Sequence, residues 1–370
     1  AGRVEALYLS GQLPIKNYLT NEWPYYREFT GQALRARFPG RPKPCWMCGV
    51  HCRWIDVPGL GVVEEPEYEA VAAMGPLIAN RSVEGMIGLA NLVDRLGLDV
   101  NEAGWLLAWV MEGYSEGWLS KQDLDGLEMT WGNTVAAAEL LRKIAGRSGC
   151  GDWLAEGVMR AAQRAGEAGL RAAVGTKKGA TPRTHDHRAR WEELLDTCVS
   201  TTSTIEATGG YMDVSEIGLE PLSNRFSPDE VGRANARING WRLFEDSCPI
   251  CRFVSQKLHV LLDGVRAVTG WDLSPSEAVT IGKRAVNRLR VFNILHGVSP
   301  DLEAPSERYT SVVRDGPCAG ADPGAAFLRM RQAYWREMGW DPDTGWPLET
   351  TLLDLGLRDE WQLMGRTCVS

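Results

Sequence analysis

The chain has 370 residues, with 40 Lys+Arg against 48 Asp+Glu, 44% hydrophobic and 24% charged residues. That balance is globular rather than disordered, and the length suits two domains better than one small core. A formal net charge of -8 argues against a protein that coats nucleic acid or an anionic membrane. No apolar run approaches the ~18 residues a membrane span needs, and Ala1-Gly2-Arg3-Val4-Glu5 carries no leader pattern. A cytoplasmic protein with no nucleic-acid partner and no membrane span is expected.

In chain order, the first feature is a loop. Pro39, Gly40, Pro42 and Pro44 cannot continue a helix into Cys45-Trp-Met-Cys48-Gly-Val-His-Cys52. Ser82 then caps a helix carrying Val83, Met86, Ile87, Ala90 and Val93 on one face, with Gly97 past its end. Asn101 caps a second, and Asn133 and Asp152 open two more, the last running through Leu154, Val158, Ala161 and Ala165. The polar stretch Gly175–Pro182 reads as a linker. Ser227-Pro-Asp-Glu230 and Ser274-Pro-Ser-Glu277 are capping boxes with Pro at the first helical position. The second opens a long helix with Ala278, Ile281, Ala285, Leu289 and Phe292 inward, ending near Gly297. Ser299–Gly324 reads as a surface loop of the second domain. Strand signals are thin and no glycine fingerprint for a dinucleotide appears. The expected fold is mainly α, in two helical domains, 1–175 and 176–370.

Nine cysteines in a chain expected to be cytosolic point to metal rather than disulfides. Three thiolates from Cys45 to Cys52 can converge on one centre, and Gly49 allows the tight turn. Iron–sulfur clusters need four soft ligands, often several from one run and one from afar. Cys248 and Cys251 are the distant candidates. Trp46 and Trp54 could exclude water, while Arg41, Lys43 and Arg53 could offset the negative charge. Two CxxC pairs, Cys45/Cys48 and Cys248/Cys251, would instead make a tetrahedral zinc site, leaving Cys52 spare, and ligand softness and spacing favour the cluster. Cys150, Cys198, Cys318 and Cys368 read as packing residues.

Taken together, the CxxCxxxC run, Glu65-Pro-Glu67-Tyr-Glu69 and Asp94-Arg-Leu-Gly97-Leu98-Asp99 resemble the aldehyde:ferredoxin oxidoreductase family of tungsten enzymes. The resemblance extends from Leu13-Pro-Ile-Lys-Asn-Tyr18 through Ile281-Gly282-Lys283-Arg284 to Tyr334–Asp341, nearly the whole chain. The family's pterin pattern, D-x-x-G-L-[CD], occurs twice. Asp94–Asp99 matches the first copy. Asp246–Cys251 aligns with the second, whose last position supplies the distant cluster ligand, here Cys251 rather than Cys248. The resemblance implies helical domains 2 and 3 of the family, with the amino-terminal pterin-cradling domain absent from this chain. It also implies a [4Fe-4S] cluster on Cys45, Cys48, Cys52 and Cys251 beside a tungsten or molybdenum bis-pterin held by Asp94, Gly97, Leu98, Asp99, Asp246 and Ile250. Standing alone, Asp94–Asp99 reads as a helix C-terminus with Gly97 as cap and Leu98 as its apolar contact.

Two departures steer the function. Pro249 replaces the glycine of the second motif and has no N–H to offer. The family's H-D-P-R segment reads His185-Asp-His-Arg188, and a later histidine position is taken by Glu206. Together with Trp191–Ser200, these resemble the subgroup containing class II benzoyl-CoA reductase. That resemblance implies reduction of an aryl-CoA, with Glu67, Glu69, Glu206 and His185 as candidate proton donors. Glu65 reads as a surface carboxylate. Aldehyde oxidation with ferredoxin as acceptor is the alternative, and a non-catalytic iron–sulfur electron-transfer subunit is another. The implied partners are a separate pterin-binding domain or subunit, a ferredoxin or iron–sulfur subunit, and a small-molecule substrate.

Overall fold

In a computed structural model, residues 3–45, 48, 52–202, 206–208, 213–251 and 257–367 are described. Trp46, Gly49 and Cys368 lie outside them. Helix dominates, as the sequence implies. The chain forms two compact units, residues 1–190 with 305–324, and residues 191–304 with 325–370.

The first unit holds helices α1 (Val4–Leu9), α2 (Gly31–Arg37), α3 (Tyr68–Met74), α4 (Val83–Leu96), α5 (Val100–Glu116), α6 (Thr134–Ala145), α7 (Cys150–Leu154), α8 (Val158–Ala165) and α9 (Glu167–Ala172). Its core is built on α5, where Trp105, Leu107, Ala108, Trp109, Val110 and Met111 are fully buried. Ser82 caps α4 by accepting from the Gly85 amide, and Asn133 caps α6 in the same way. The cap of α5 is Asp99, not Asn101. Both residue types suit the role, but the Asn101 amide oxygen instead accepts the Thr184 N–H at 2.9 Å. The helix expected from Asp152 to Ala165 is two helices, because Gly157 takes a left-handed conformation (φ +88°) between them.

A small antiparallel sheet, not expected from the thin strand signals, joins this unit: β1 (Gly40–Pro42), β2 (Arg53–Val57) and β3 (Gly61–Glu64), in that order. Its strands are too short for alternation to register. β1 and β2 pair Gly40 with Ile55 and Pro42 with Arg53, so the cysteine run is their hairpin connection.

The second unit holds α10 (Trp191–Val199), α11 (Pro228–Ile238), α12 (Trp241–Ser247), α13 (Leu258–Thr269), α14 (Pro275–Leu295), α15 (from Pro323 to Glu337), α16 (Glu349–Asp354) and α17 (Arg358–Thr367). Ser274 and Glu277 form the full reciprocal capping box of α14. At α11 the box does not close. Glu230 accepts the Ser223 and Asn224 amides of the preceding loop instead. The buried face of α14 follows expectation at its start, where Ala278 is buried and Ile281 packs on the core, but then turns: Val279, Gly282, Val286 and Val291 are buried, while Phe292 is 55% exposed. Gly282 sets this orientation. A Cβ there would lie 1.8 Å from the Gly240 carbonyl oxygen, so only glycine lets α12 and α14 approach.

The boundary expected at 175/176 falls inside the first unit. Thr176 bridges to Pro305, and Ser306 bonds both Gly175 and the Ala173 carbonyl. Those same bonds place most of the 299–324 loop, from Pro305 onward, in the first unit rather than the second.

Candidate functional site

In the first unit, the sheet brings the cysteine run to the end of α4. Glu64 on β3 accepts at its carbonyl from the Asn91 side chain of α4 (3.2 Å) and donates its N–H to the Asn91 oxygen (3.1 Å). Across the hairpin base, the Lys43 amide donates to the Cys52 carbonyl at 2.5 Å, and the Cys48 amide to the Cys45 carbonyl at 3.0 Å. Burial raises the Cys52 thiol, and the neighbouring Glu67, Cys45, Cys48 and Glu64 raise it further. Three thiols and two carboxylates therefore share one electrostatic neighbourhood. Asp94 is raised as well, by desolvation and by Glu64. One glutamate thus links the cysteine loop to the first motif.

The motif itself has the shape of a helix corner. The Gly97 amide bonds back to Asp94 and Val93, the Leu98 amide to Val93, and the Asp99 carboxylate caps α5. Asp94, Gly97 and Asp99 are exposed, and Leu98 is half-buried. Of the three cations expected near the loop, Lys43 and Arg53 are already engaged. Lys43 pairs with Glu64 at 2.6 Å and lies over the Trp54 ring, and Arg53 approaches Glu65 at 3.6 Å. Glu65 also pairs with Arg35, but its side chain is only 8% exposed, so it is not the surface carboxylate expected.

The proposed proton donors divide by environment. Glu69 pairs with Arg183 at 3.3 Å. Glu67 is exposed, yet desolvation and the charges of Glu69, Glu64 and Asp94 push its carboxyl up. His185 is buried, with Nδ1 3.0 Å from Arg190 and its ring against Tyr68. The rest of its segment is a clamp: Arg188 grips Asp186 through Nε (3.0 Å) and Nη2 (2.6 Å), and His187 Nδ1 meets the Tyr309 hydroxyl at 2.7 Å.

In the second unit, Glu206 is 1% exposed. Its Oε2 accepts from the Thr201 amide (2.9 Å) and hydroxyl, and its Oε1 from Asn239 Nδ2 at 2.8 Å. The same Asn239 nitrogen donates to the Tyr334 hydroxyl at 2.6 Å. Burial raises the Glu206 carboxyl, and the nearby Asp196 charge raises it further. Asp196, which the sequence reading missed, is the residue that holds this loop. Its carboxylate accepts the amides of Glu206, Ala207 and Thr208 at 2.8–3.1 Å and the Thr208 hydroxyl at 2.6 Å. An aspartate near the end of an apolar helix carries no such signal in sequence, because its donors lie ten residues on.

The second motif begins in the last turn of α12 and runs past its end. Cys248 packs against the cluster of Trp241, Phe244, Leu258 and Leu261, and burial raises its thiol. Cys251 is exposed, as are Asp246 and Ile250.

Residues 1–357 match the family model described as aldehyde ferredoxin oxidoreductase, domains 2 & 3. The chain belongs to the aldehyde ferredoxin oxidoreductase family. It is 31% identical over 362 residues to the tungsten-containing aldehyde ferredoxin oxidoreductase of Pyrococcus furiosus, covering 95% of this chain and 58% of that protein. The tungsten-containing aldehyde ferredoxin oxidoreductase of Thermococcus kodakarensis is 29% identical, over 92% of this chain and 56% of its own. The aliphatic sulfonate oxidoreductase, WOR-like subunit, of Pyrococcus furiosus is 28% identical, over 84% of this chain and 49% of its own. This family member thus spans about half to three-fifths of the length of these relatives. Among solved structures it is similar to the active site complex BamBC of benzoyl coenzyme A reductase in complex with 1,5 dienoyl-CoA. The TM-score is 0.76 at 18% identity, over 98% of this chain and 60% of that one. At that identity the likeness is one of fold.

The residues present fit the groups the family implies. Three soft thiol donors share one neighbourhood, as an iron–sulfur cluster requires of its compact run. Asp94 and Asp99, with the exposed backbone of Gly97 between them, offer carboxylate acceptors and close approach to a polar ring system.

Proposed function

We propose that this chain supplies the cluster-binding, pterin-facing helical part of a tungsten oxidoreductase that reduces an aryl-CoA. The observation that supports it most directly is the link through Glu64, which sets Cys45, Cys48 and Cys52 beside the helix ending in Asp94–Asp99. Cys45, Cys48, Cys52 and Cys251 would hold a [4Fe-4S] cluster. Asp94, Gly97, Leu98 and Asp99, with Asp246 and Ile250, would face a bis-pterin of tungsten or molybdenum. When bound, these groups supply low-potential electrons and a metal that exchanges electron pairs with substrate.

The chain's own residues supply the proton. Reduction of an aromatic ring needs an acid held away from water. Glu206 meets that description, since burial shifts it toward the neutral form and Thr201 and Asn239 fix both its oxygens. Glu69 is the weaker candidate because its carboxylate is already engaged by Arg183. His185 and Glu67 remain secondary donors. A separate pterin-cradling domain or subunit completes the site, and a ferredoxin or iron–sulfur subunit delivers electrons.

Aldehyde oxidation is the second reading. It is favoured by the 31% identity to a relative named as an aldehyde ferredoxin oxidoreductase. The test is turnover by the anaerobically purified native protein. Benzoyl-CoA reduction without aldehyde oxidation is expected, and turnover of aldehydes alone would remove the aryl-CoA assignment.

A further inference from the structure

Asn239 closes α11 in the second unit, yet among the described residues its side chain bonds to nothing in that helix. Its backbone amide meets the Asn235 carbonyl at 3.0 Å, while the side chain reaches Glu206 and Tyr334, 33 and 95 residues away in the chain. The corner that presents it is tightly fixed. Gly240 follows at φ +106°, and a Cβ there would lie 2.5 Å from the Val279 carbonyl oxygen of α14. Asn239 is fully buried, and Tyr334 is 1% exposed with its ring edge-on to Trp340. A carboxyl, a carboxamide and a phenol therefore form one buried chain, where a misdirected bond is costly.

The hydrogens along this chain can be placed. Asn239 Nδ2 has two, and both are engaged, one by Glu206 Oε1 (2.8 Å) and one by the Tyr334 hydroxyl (2.6 Å). That arrangement suits an ionised Glu206, because a carboxylate only accepts. Burial, however, favours the neutral acid. The proton of that acid belongs on Oε1. Oε2 already accepts two bonds, and one of them comes from the Thr201 backbone amide (2.9 Å), which has no way to reverse. A proton on Oε1 needs an acceptor, and Nδ2 offers none.

Turning the Asn239 carboxamide over removes the conflict. Its oxygen and nitrogen are nearly the same size, so the reversal needs no repacking. Oδ1 then accepts from the neutral Glu206 and from the Tyr334 hydroxyl at the same two contacts. Tyr334 can follow, because a hydroxyl both donates and accepts. Burial, with the charges of Glu206 and Asp196, holds its titration well above the ordinary value, so it keeps its proton throughout. At the other end of the amide, Oδ1 has no partner among the described residues. One polar atom is unpartnered there in either orientation, so that end does not choose between them. The choice lies with the Glu206 proton. The remaining charges are committed elsewhere: Asp196 of α10 to the amides of residues 206–208, and Arg290 of α14, whose charge reaches Tyr334, to Glu303.

We infer that Asn239 is a positioning residue that reverses its amide as Glu206 gains and loses a proton, with Tyr334 changing from acceptor to donor in step. The inference rests on the proton-donor role proposed for Glu206. Both forms of the acid are then hydrogen-bonded, which keeps them close in energy, as a group that gives up and regains a proton in every turnover requires.

Infrared difference spectra of the native protein across pH test this without turnover. Subtracting Glu206→Gln isolates the Glu206 carboxyl. Subtracting Tyr334→Phe isolates the Tyr334 carbon–oxygen stretch, which senses whether the hydroxyl donates or accepts. The Tyr334 band is expected to change at the midpoint at which the Glu206 carboxyl titrates. In Asn239→Ala that change should be lost, and the Glu206 midpoint should rise by about one pH unit, because the carboxylate loses the stronger bond. A Glu206 titration with no accompanying Tyr334 change, a Tyr334 change that persists in Asn239→Ala, or a midpoint that stays or falls there would overturn the inference. The wild-type comparison decides the matter even if Asn239→Ala does not fold, since Tyr334→Phe removes a single oxygen. The bands are read whether or not benzoyl-CoA is reduced, so failure of the aryl-CoA assignment is a separate result.

Discussion

Replacing Glu206 by glutamine separates the charge of this carboxylate from its hydrogen bonds. The folded carboxyl is raised, chiefly by burial, above its ordinary value of about 4.3. A raised acid stabilises the fold most fully below the unfolded value, and that contribution is lost as pH rises through the folded value. Relative to Glu206→Gln, wild-type stability should therefore fall with rising pH from about 4.3 upward, by at most about 1.4 kcal/mol per unit, then level off. The glutamine can be accommodated. Asn239 Oδ1 is buried without a partner, so a flipped Asn239 amide could accept the new N–H. Glu206→Ala differs, because it strands the Thr201 amide and the Thr201 hydroxyl without an acceptor and leaves Asn239 Nδ2 only the Tyr334 hydroxyl. At about 1–3 kcal/mol per stranded donor, and with incomplete additivity, a loss of roughly 2–4 kcal/mol is expected. Urea unfolding from pH 5 to 8 reads both effects. A wild type that gains stability over the glutamine variant as pH rises would refute the reasoning, since that is the signature of an ionised, favourably paired carboxylate.

Asp196→Ala should free the amides of Glu206, Ala207 and Thr208, costing roughly 3–4 kcal/mol; hydrogen exchange at those amides should accelerate, and unchanged protection would contradict the role given to Asp196. Gly282→Ala forces a Cβ against the Gly240 carbonyl and should cost about 3 kcal/mol or more, and a thermal midpoint equal to wild type would show that α12 and α14 are not so closely packed. Asp99→Ala removes the cap of α5, worth about 1 kcal/mol; pterin content lost well beyond what that destabilisation explains would give Asp99 a ligand role in addition to its cap.

How much of this was legible in the sequence depended on how local the cause was. Ser82, Asn133 and the Ser274–Glu277 box act within one turn, and each appears where its residue type placed it. Asp99 and Asn101 are both competent caps, and Thr184, more than eighty residues away, decides between them. The domain boundary failed for the same reason: Ser306 ties a distant loop back onto residues 173–175. The cysteine run was legible as chemistry, but not as the connection of a hairpin whose strands span three to five residues. Glu206 could be singled out through the resemblance, whereas Asp196 beneath it could not. The role of Asn239 was equally hidden, because its partners Glu206 and Tyr334 come from elsewhere in the chain.

The central claim is that the loop from Cys45 to Cys52 carries an iron–sulfur cluster next to a pterin motif. Metal, sulfide and pterin analysis of the anaerobically purified native protein, wild type beside Cys52→Ser, tests it most directly. The account predicts about four irons per chain with tungsten or molybdenum and pterin in the wild type, and loss of the iron in the variant. Zinc without iron, retained in Cys52→Ser, would contradict it.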